Sequence, residues 1–190
     1  MKTLIISNFR TGSWYVHDSY AHKGFILLGE IGHYYGSESK IKKFKEFSNV
    51  VGILHPRAFA PTALNGGNVS SGVTTCLRLC EFADEIIYLH RQDTFMQTIS
   101  YAVALQQSNR ADWSPWLKTR KTFNNEISDV DLDNAFLRLK ENYEMIKQIY
   151  DIFPSKVITL EKDLPYEPYP NKYNYVGDWE VPFNFTMLGQ

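Results

Sequence analysis

Residues 2–14 read Lys2-Thr3-Leu4-Ile5-Ile6-Ser7-Asn8-Phe9-Arg10-Thr11-Gly12-Ser13-Trp14, and the rest of the chain is organised around them. Leu4, Ile5 and Ile6 form the short apolar run expected of a strand buried on both faces. The stretch from Ser7 to Gly12 is small, polar and turn-prone, with one arginine. From Ser13 the pattern suits a helix, with Ser13 as its expected N-cap. A strand, a tight loop and a helix in succession aim free backbone N–H groups at an anion. Arg10 adds a planar cationic fork matched to phosphate or sulfate. An oxyanion cradle is expected here.

Working outward, further apolar runs read as strands: Gly24 to Glu30, bounded by glycines; Val50 to Leu54, stopped by His55-Pro56-Arg57; Glu85 to His90, followed by Arg91; and Val157 to Leu160. Helices are expected over Lys40–Phe47, whose lysines read as a solvated face, and over Val73–Phe82, Asp93–Gln107 and Asp129–Tyr150. In the last of these, Leu132, Phe136, Leu139, Tyr143, Ile146 and Ile149 recur at helical spacing. Strands alternating with helices predict an α/β domain with a mainly parallel sheet. Ligands of such sheets bind at the carboxyl ends of the strands. The Arg10 loop, Glu30, His55 and Arg91 all fall at or near those ends.

At 190 residues the chain is expected to form one domain with a sizeable core. Its net charge of −1 gives no global attraction to nucleic acid. Cys76 and Cys80 lie four apart in a predicted helix. They read as small buried hydrophobes, since no further ligands have metal-site spacing. That usage fits a reducing compartment. No apolar run is long enough to span a membrane, and no signal-peptide layout precedes the first strand. A cytoplasmic location is the expectation. The Arg10 loop lacks the Gly-x4-Gly-Lys-Ser/Thr pattern of a triphosphate loop. The strand ending at His90-Arg91 offers a base where magnesium would need an acid. A nucleotide with anions at two places and no metal is therefore expected.

These residues carry a resemblance. Asn8-Phe9-Arg10-Thr11-Gly12-Ser13-Trp14 resembles the 5′-phosphosulfate loop of sulfotransferases that use 3′-phosphoadenosine-5′-phosphosulfate (PAPS). Leu89 to Ser100 is similar to the 3′-phosphate segment of the bacterial trehalose-type sulfotransferases, with Arg91, Asp93, Gln97 and Ser100 at the family's offsets. Leu160-Glu161-Lys162-Asp163-Leu164 resembles the family's strand-exit Tyr-Glu-Asp-Leu segment, and Gly177-Asp178-Trp179 the Gly-Asp-Trp of its C-terminal cofactor loop. The basic pair that precedes this last motif is missing; only Lys172 is near, and Glu180 stands where a lysine is usual.

The resemblance implies a P-loop-like three-layer domain and sulfuryl transfer from PAPS to a hydroxyl on a small molecule, sugar or lipid. Arg91 and Ser100 would hold the 3′-phosphate. Arg10, with the Thr11, Gly12, Ser13 and Trp14 segment, would hold the 5′-phosphate that leaves. Lys172, Gly177, Asp178 and Trp179 would close over the nucleotide. Two residues compete as general base: Glu30, by its match to the trehalose-type enzymes, and His55, by its ordinary pKa near neutrality. Trp14, Tyr34, Tyr35, Trp113 and Trp116 are available as an acceptor-stacking surface or as core. A magnesium-dependent kinase-like phosphotransferase and a nucleotide-binding module without turnover are the alternatives. A homo-oligomer is left open.

Overall fold

The computed structural model describes residues 1–32, 37–59, 69–108, 127–164, 177–186 and 188–189. Tyr34, Tyr35, Trp113, Trp116 and Lys172 lie outside them. Five strands, β1 (Lys2–Ser7), β2 (Ile26–Glu30), β3 (Val50–Leu54), β4 (Glu85–His90) and β5 (Lys156–Thr159), form one sheet in the order β2-β3-β1-β4-β5. Every pairing is parallel. The helices are α1 (Ser13–Ser19), α2 (Ser37–Glu46), α3 (Pro56–Phe59), α4 (Val69–Cys80), α5 (Thr94–Ser108), α6 (Asp129–Ile152) and α7 (Leu160–Asp163), with a 3-10 turn at Ala21–Lys23.

Side chains alternate across the strands with period two. Leu4, Ile6, Val50, Leu54, Ile86 and Tyr88 join one core with Phe44 of α2, Cys76 and Leu79 of α4, Ile99 of α5, and Leu132, Leu139, Ile146 and Ile149 of α6. Ile5, Val51, Ile87 and Leu89 face the opposite layer, where Val16 of α1 and Tyr20 just after it cover them. This is a three-layer α/β fold built as the alternating apolar runs predict. No helix among the described residues is long and apolar enough to cross a membrane.

The helix starts differ in their chemistry. Ser128 caps α6 and Asp131 answers it in a capping box. Asp93 accepts from Met96 N–H (2.9 Å) at the start of α5, as its position predicts. At α1 the expected cap is corrected: Ser13 is buried inside the helix, and Gly12, at φ +79, takes the cap position with no side-chain hydrogen bond. A Cβ on Gly12 would lie 2.8 Å from Leu160 Cδ1, so close packing against α7 favours glycine there.

The topology fixes where a site forms. β1 leads out to β2, and β4 leads the other way to β5. A switch point therefore falls between the carboxyl ends of β1 and β4. The register aligns Ile6 with both Leu54 and Tyr88, so residues just past β1, β3 and β4 emerge side by side.

Candidate functional site

Neighbouring elements hold the loop after β1. Asn8 is buried; its amide donates to Leu139 O (3.0 Å), and Asn142 donates to Asn8 Oδ1 (2.9 Å) and Ser7 O (3.3 Å). Thr11 is also buried and its hydroxyl donates to Asn8 O (2.9 Å). Across the switch point, Gln97 donates to Phe9 O (2.6 Å) and Arg91 Nη1 to Arg10 O (3.2 Å). Arg10 itself is left-handed, at φ +62. A non-glycine residue holds such a conformation at a cost of about 1–3 kcal/mol, and surrounding contacts must over-determine it.

That backbone conformation accompanies a change in what Arg10 does. Its side chain belongs with the second anion segment, because Nε donates to Ser100 Oγ at 2.8 Å. Arg10, Ser100 and Arg91 thus form one contiguous group, where the sequence suggests separate 5′ and 3′ sites. Arg91 is buried, with Nε 3.7 Å from Glu161 Oε1. His90, the neighbouring base, is buried as well; loss of hydration pushes its pKa down, with the Glu161 charge acting in the opposite direction. The cation at this strand end is therefore Arg91.

Glu30 and His55 are brought together. His55 Nδ1 lies 2.9 Å from Ser7 O, with Ser7 Oγ at 3.3 Å. A carbonyl only accepts, so Nδ1 carries the proton and Nε2 is turned to Glu30 Oε1 at 3.6 Å. Phe9 lies against the imidazole (4.7 Å between centroids) and stacks in turn on Tyr101 (4.8 Å). The Glu30 side chain keeps 26% of its surface in solvent and the His55 side chain 4%, so Glu30 is the more accessible of the two.

Glu30 is aimed by a break in β2. The β2–β3 register shifts between Leu27 and Glu30, and Gly29 sits at φ +64. Bulges of this kind re-aim side chains beside functional sites. Helix α1 clasps the bulge twice. Trp14 covers Gly29, whose Cβ would meet the indole at 3.0 Å, and donates from Nε1 to Glu30 Oε1 (3.2 Å). The buried His17 accepts the Gly29 N–H at Nε2 (3.0 Å). The loop carrying Arg10 and the strand end carrying Glu30 are thereby joined through one short helix. Lys40 departs from the solvated-face reading of its helix: half-buried, it donates from Nζ to Glu30 O at 2.8 Å.

The C-terminal motif lies against the start of α5. Gly177 and Asp178 are exposed. Trp179 donates from Nε1 to Asp133 Oδ1 (2.8 Å) and sits between Phe95 and Phe136. The following segment packs Phe183 and Phe185 onto Phe136. Trp179 is thus seated against the first turn of α5, the helix that follows Arg91, and the start of α6.

Asn142 and His17 are working residues to which the sequence reading gave no task, and Glu161 entered it only as part of the strand-exit segment. Asn142 had a signal: an amide three residues after Leu139 and four before Ile146, in line with the apolar stripe of α6, and it is fully buried. His17 and Glu161 act on the backbone of other elements, which no local pattern encodes. Comparison with protein-family models, with curated proteins and with solved structures finds no match.

Proposed function

We propose that this chain transfers a sulfuryl group from PAPS to a hydroxyl acceptor. The observation that carries the reading is the convergence of Arg10, Ser100 and Arg91 at the carboxyl ends of β1 and β4. The donor set fits a nucleotide with two separated anionic groups: two guanidiniums and a hydroxyl on one side, and the opening turn of α1 after Gly12 on the other. PAPS, when bound, supplies the activated sulfuryl group.

Arg91, Ser100 and the side chain of Arg10 hold the 3′-phosphate in this reading. The Thr11-Gly12-Ser13 backbone receives the 5′ end, so the leaving-group task shifts from the Arg10 guanidinium to the loop amides. Glu30 takes the proton of the acceptor hydroxyl as the acceptor oxygen bonds to sulfur. PAPS bound there would release its bridging oxygen, with the electron pair of the broken bond to sulfur, on the 5′-phosphate that the loop amides would receive. His55, with Nδ1 tied to Ser7 O, presents Nε2 to Glu30 and shares the proton the carboxylate has accepted. Trp14 holds the Glu30 oxygen in place through its indole N–H.

Thermal denaturation with the product nucleotide, 3′-phosphoadenosine-5′-phosphate (PAP), tests the cofactor. PAP is expected to raise Tm by mass action, and Arg10→Ala to abolish the shift. No stabilisation across a wide PAP range would overturn the assignment; stabilisation by magnesium-ATP alone would favour a phosphotransferase. Release of PAP from PAPS with a panel of hydroxyl acceptors then separates an enzyme from a binding module.

A further inference from the structure

We infer that Glu161 is a positioning residue for Arg91 and sets the preference of the nucleotide site for a 3′-phosphate; this rests on the PAPS reading above. β5 pairs with β4 so that Thr159 stands opposite His90. Glu161, two residues past Thr159, consequently emerges beside the turn that carries Arg91. Its own turn is held by Asp163 Oδ2, which accepts from Thr159 N–H at 2.6 Å.

Both carboxylate oxygens are committed to backbone. Oε2 accepts from Gln92 N–H (2.9 Å) and Oε1 from Asp93 N–H (3.1 Å), the amides that lead into α5. A carboxylate held at both oxygens cannot rotate away, and a helix start stabilises its charge. With Oε1 fixed, the Nε edge of Arg91 faces it at 3.7 Å. Arg91 Nη1 is directed elsewhere, to Arg10 O, and Arg10 in turn reaches Ser100. The anion-binding group therefore gathers on the Nη1 side of Arg91, while Glu161 faces the Nε edge at 3.7 Å, a charge contact longer than a hydrogen bond. For a guanidinium this buried, the neighbouring charge offsets part of its desolvation and favours the orientation that turns its Nε edge to Glu161. The carboxylate orients the cation and does not occupy the position of the ligand.

Isothermal titration with PAP and with adenosine 5′-monophosphate, which lacks the 3′-phosphate, tests this. Wild type is expected to bind PAP more tightly. Glu161→Ala should weaken PAP about tenfold, as for loss of a well-placed charged contact, and leave the monophosphate within about twofold. Glu161→Gln, which keeps the volume and one acceptor oxygen, should shift the ratio in the same direction and carries the comparison if the alanine variant does not fold. Equal losses for both nucleotides would reduce Glu161 to a structural role and overturn the inference. Tighter PAP binding by either variant would overturn it too, by marking the carboxylate as a competitor. A wild type that binds PAP no better than the monophosphate would instead sink the 3′-phosphate assignment itself, a result distinct from a wild type that discriminates and variants that discriminate equally.

Discussion

Glu30 is in contact with solvent and His55 lies behind it, and the difference assigns their work. In the proposed transfer the more exposed carboxylate is the base, and the imidazole, 3.6 Å away, orients it and shares its proton. Glu30→Gln is expected to lower sulfuryl transfer at least about 100-fold, the usual scale of general-base loss, with PAP binding retained. His55→Gln should cost less, because the carboxylate remains. Initial rates with PAPS and an acceptor found by screening measure both, and a larger loss at His55 would reverse the assignment. The sequence makes both residues visible, as polar groups just past apolar strand runs. It presents them as rivals because nothing in residues 26–30 or 50–55 reveals that β2 and β3 lie side by side, or that a bulge at Gly29 turns Glu30 towards the neighbouring strand end.

Elements show which local rules survive packing. The capping box of α6 is local and holds: Ser128 Oγ accepts from Asp131 N–H (3.2 Å) and donates to Asp131 Oδ2 (2.7 Å). The hydrogen bond from Ser128 holds the Asp131 carboxyl below its ordinary 3.8. Since the folded-state pKa is the lower one, protons favour the unfolded chain. The contribution is present in full above the unfolded value and is lost as pH falls through the folded one. Ser128→Ala should therefore cost about 1 kcal/mol at neutral pH, and less at a pH below the lowered folded-state value, where Asp131 is protonated. Urea unfolding at the two pH values reads this directly, and an equal cost at both would deny the coupling. At α1 the local rule yields. Ser13 has the chemistry of an N-cap, yet Gly12 holds that position, because Leu160 leaves no room for a Cβ and the backbone turns left-handed at Arg10 and again at Gly12.

At the scale of the molecule, the layer of helices on the α4 side of the sheet buries Cys76 and Cys80 with the core residues around them. Cys76 and Cys80 are free thiols inside it; burial pushes the Cys80 thiol up to about 12 and raises Cys76 likewise. The thiolate is the reactive form, so iodoacetamide at pH 7.5 should label neither cysteine in the folded protein and both in 6 M guanidinium, a reagent strength of about the usual unfolding range. Mass spectrometry counts the adducts, and rapid native labelling would show that the core opens locally. The alternation of apolar runs with helical periods sufficed to predict strands, helices and an α/β class, because burial on a strand or a helix face leaves its period in the chain itself. The residue types at the carboxyl ends, with Arg10, Glu30, His55 and Arg91 among them, were legible for the same reason. The tertiary structure alone decided which of them meet. Arg10 reaches Ser100, Glu30 faces His55, and Glu161 braces Arg91 through strand order, register and a bulge. Those features come from packing between segments far apart in the chain, where no local period records them.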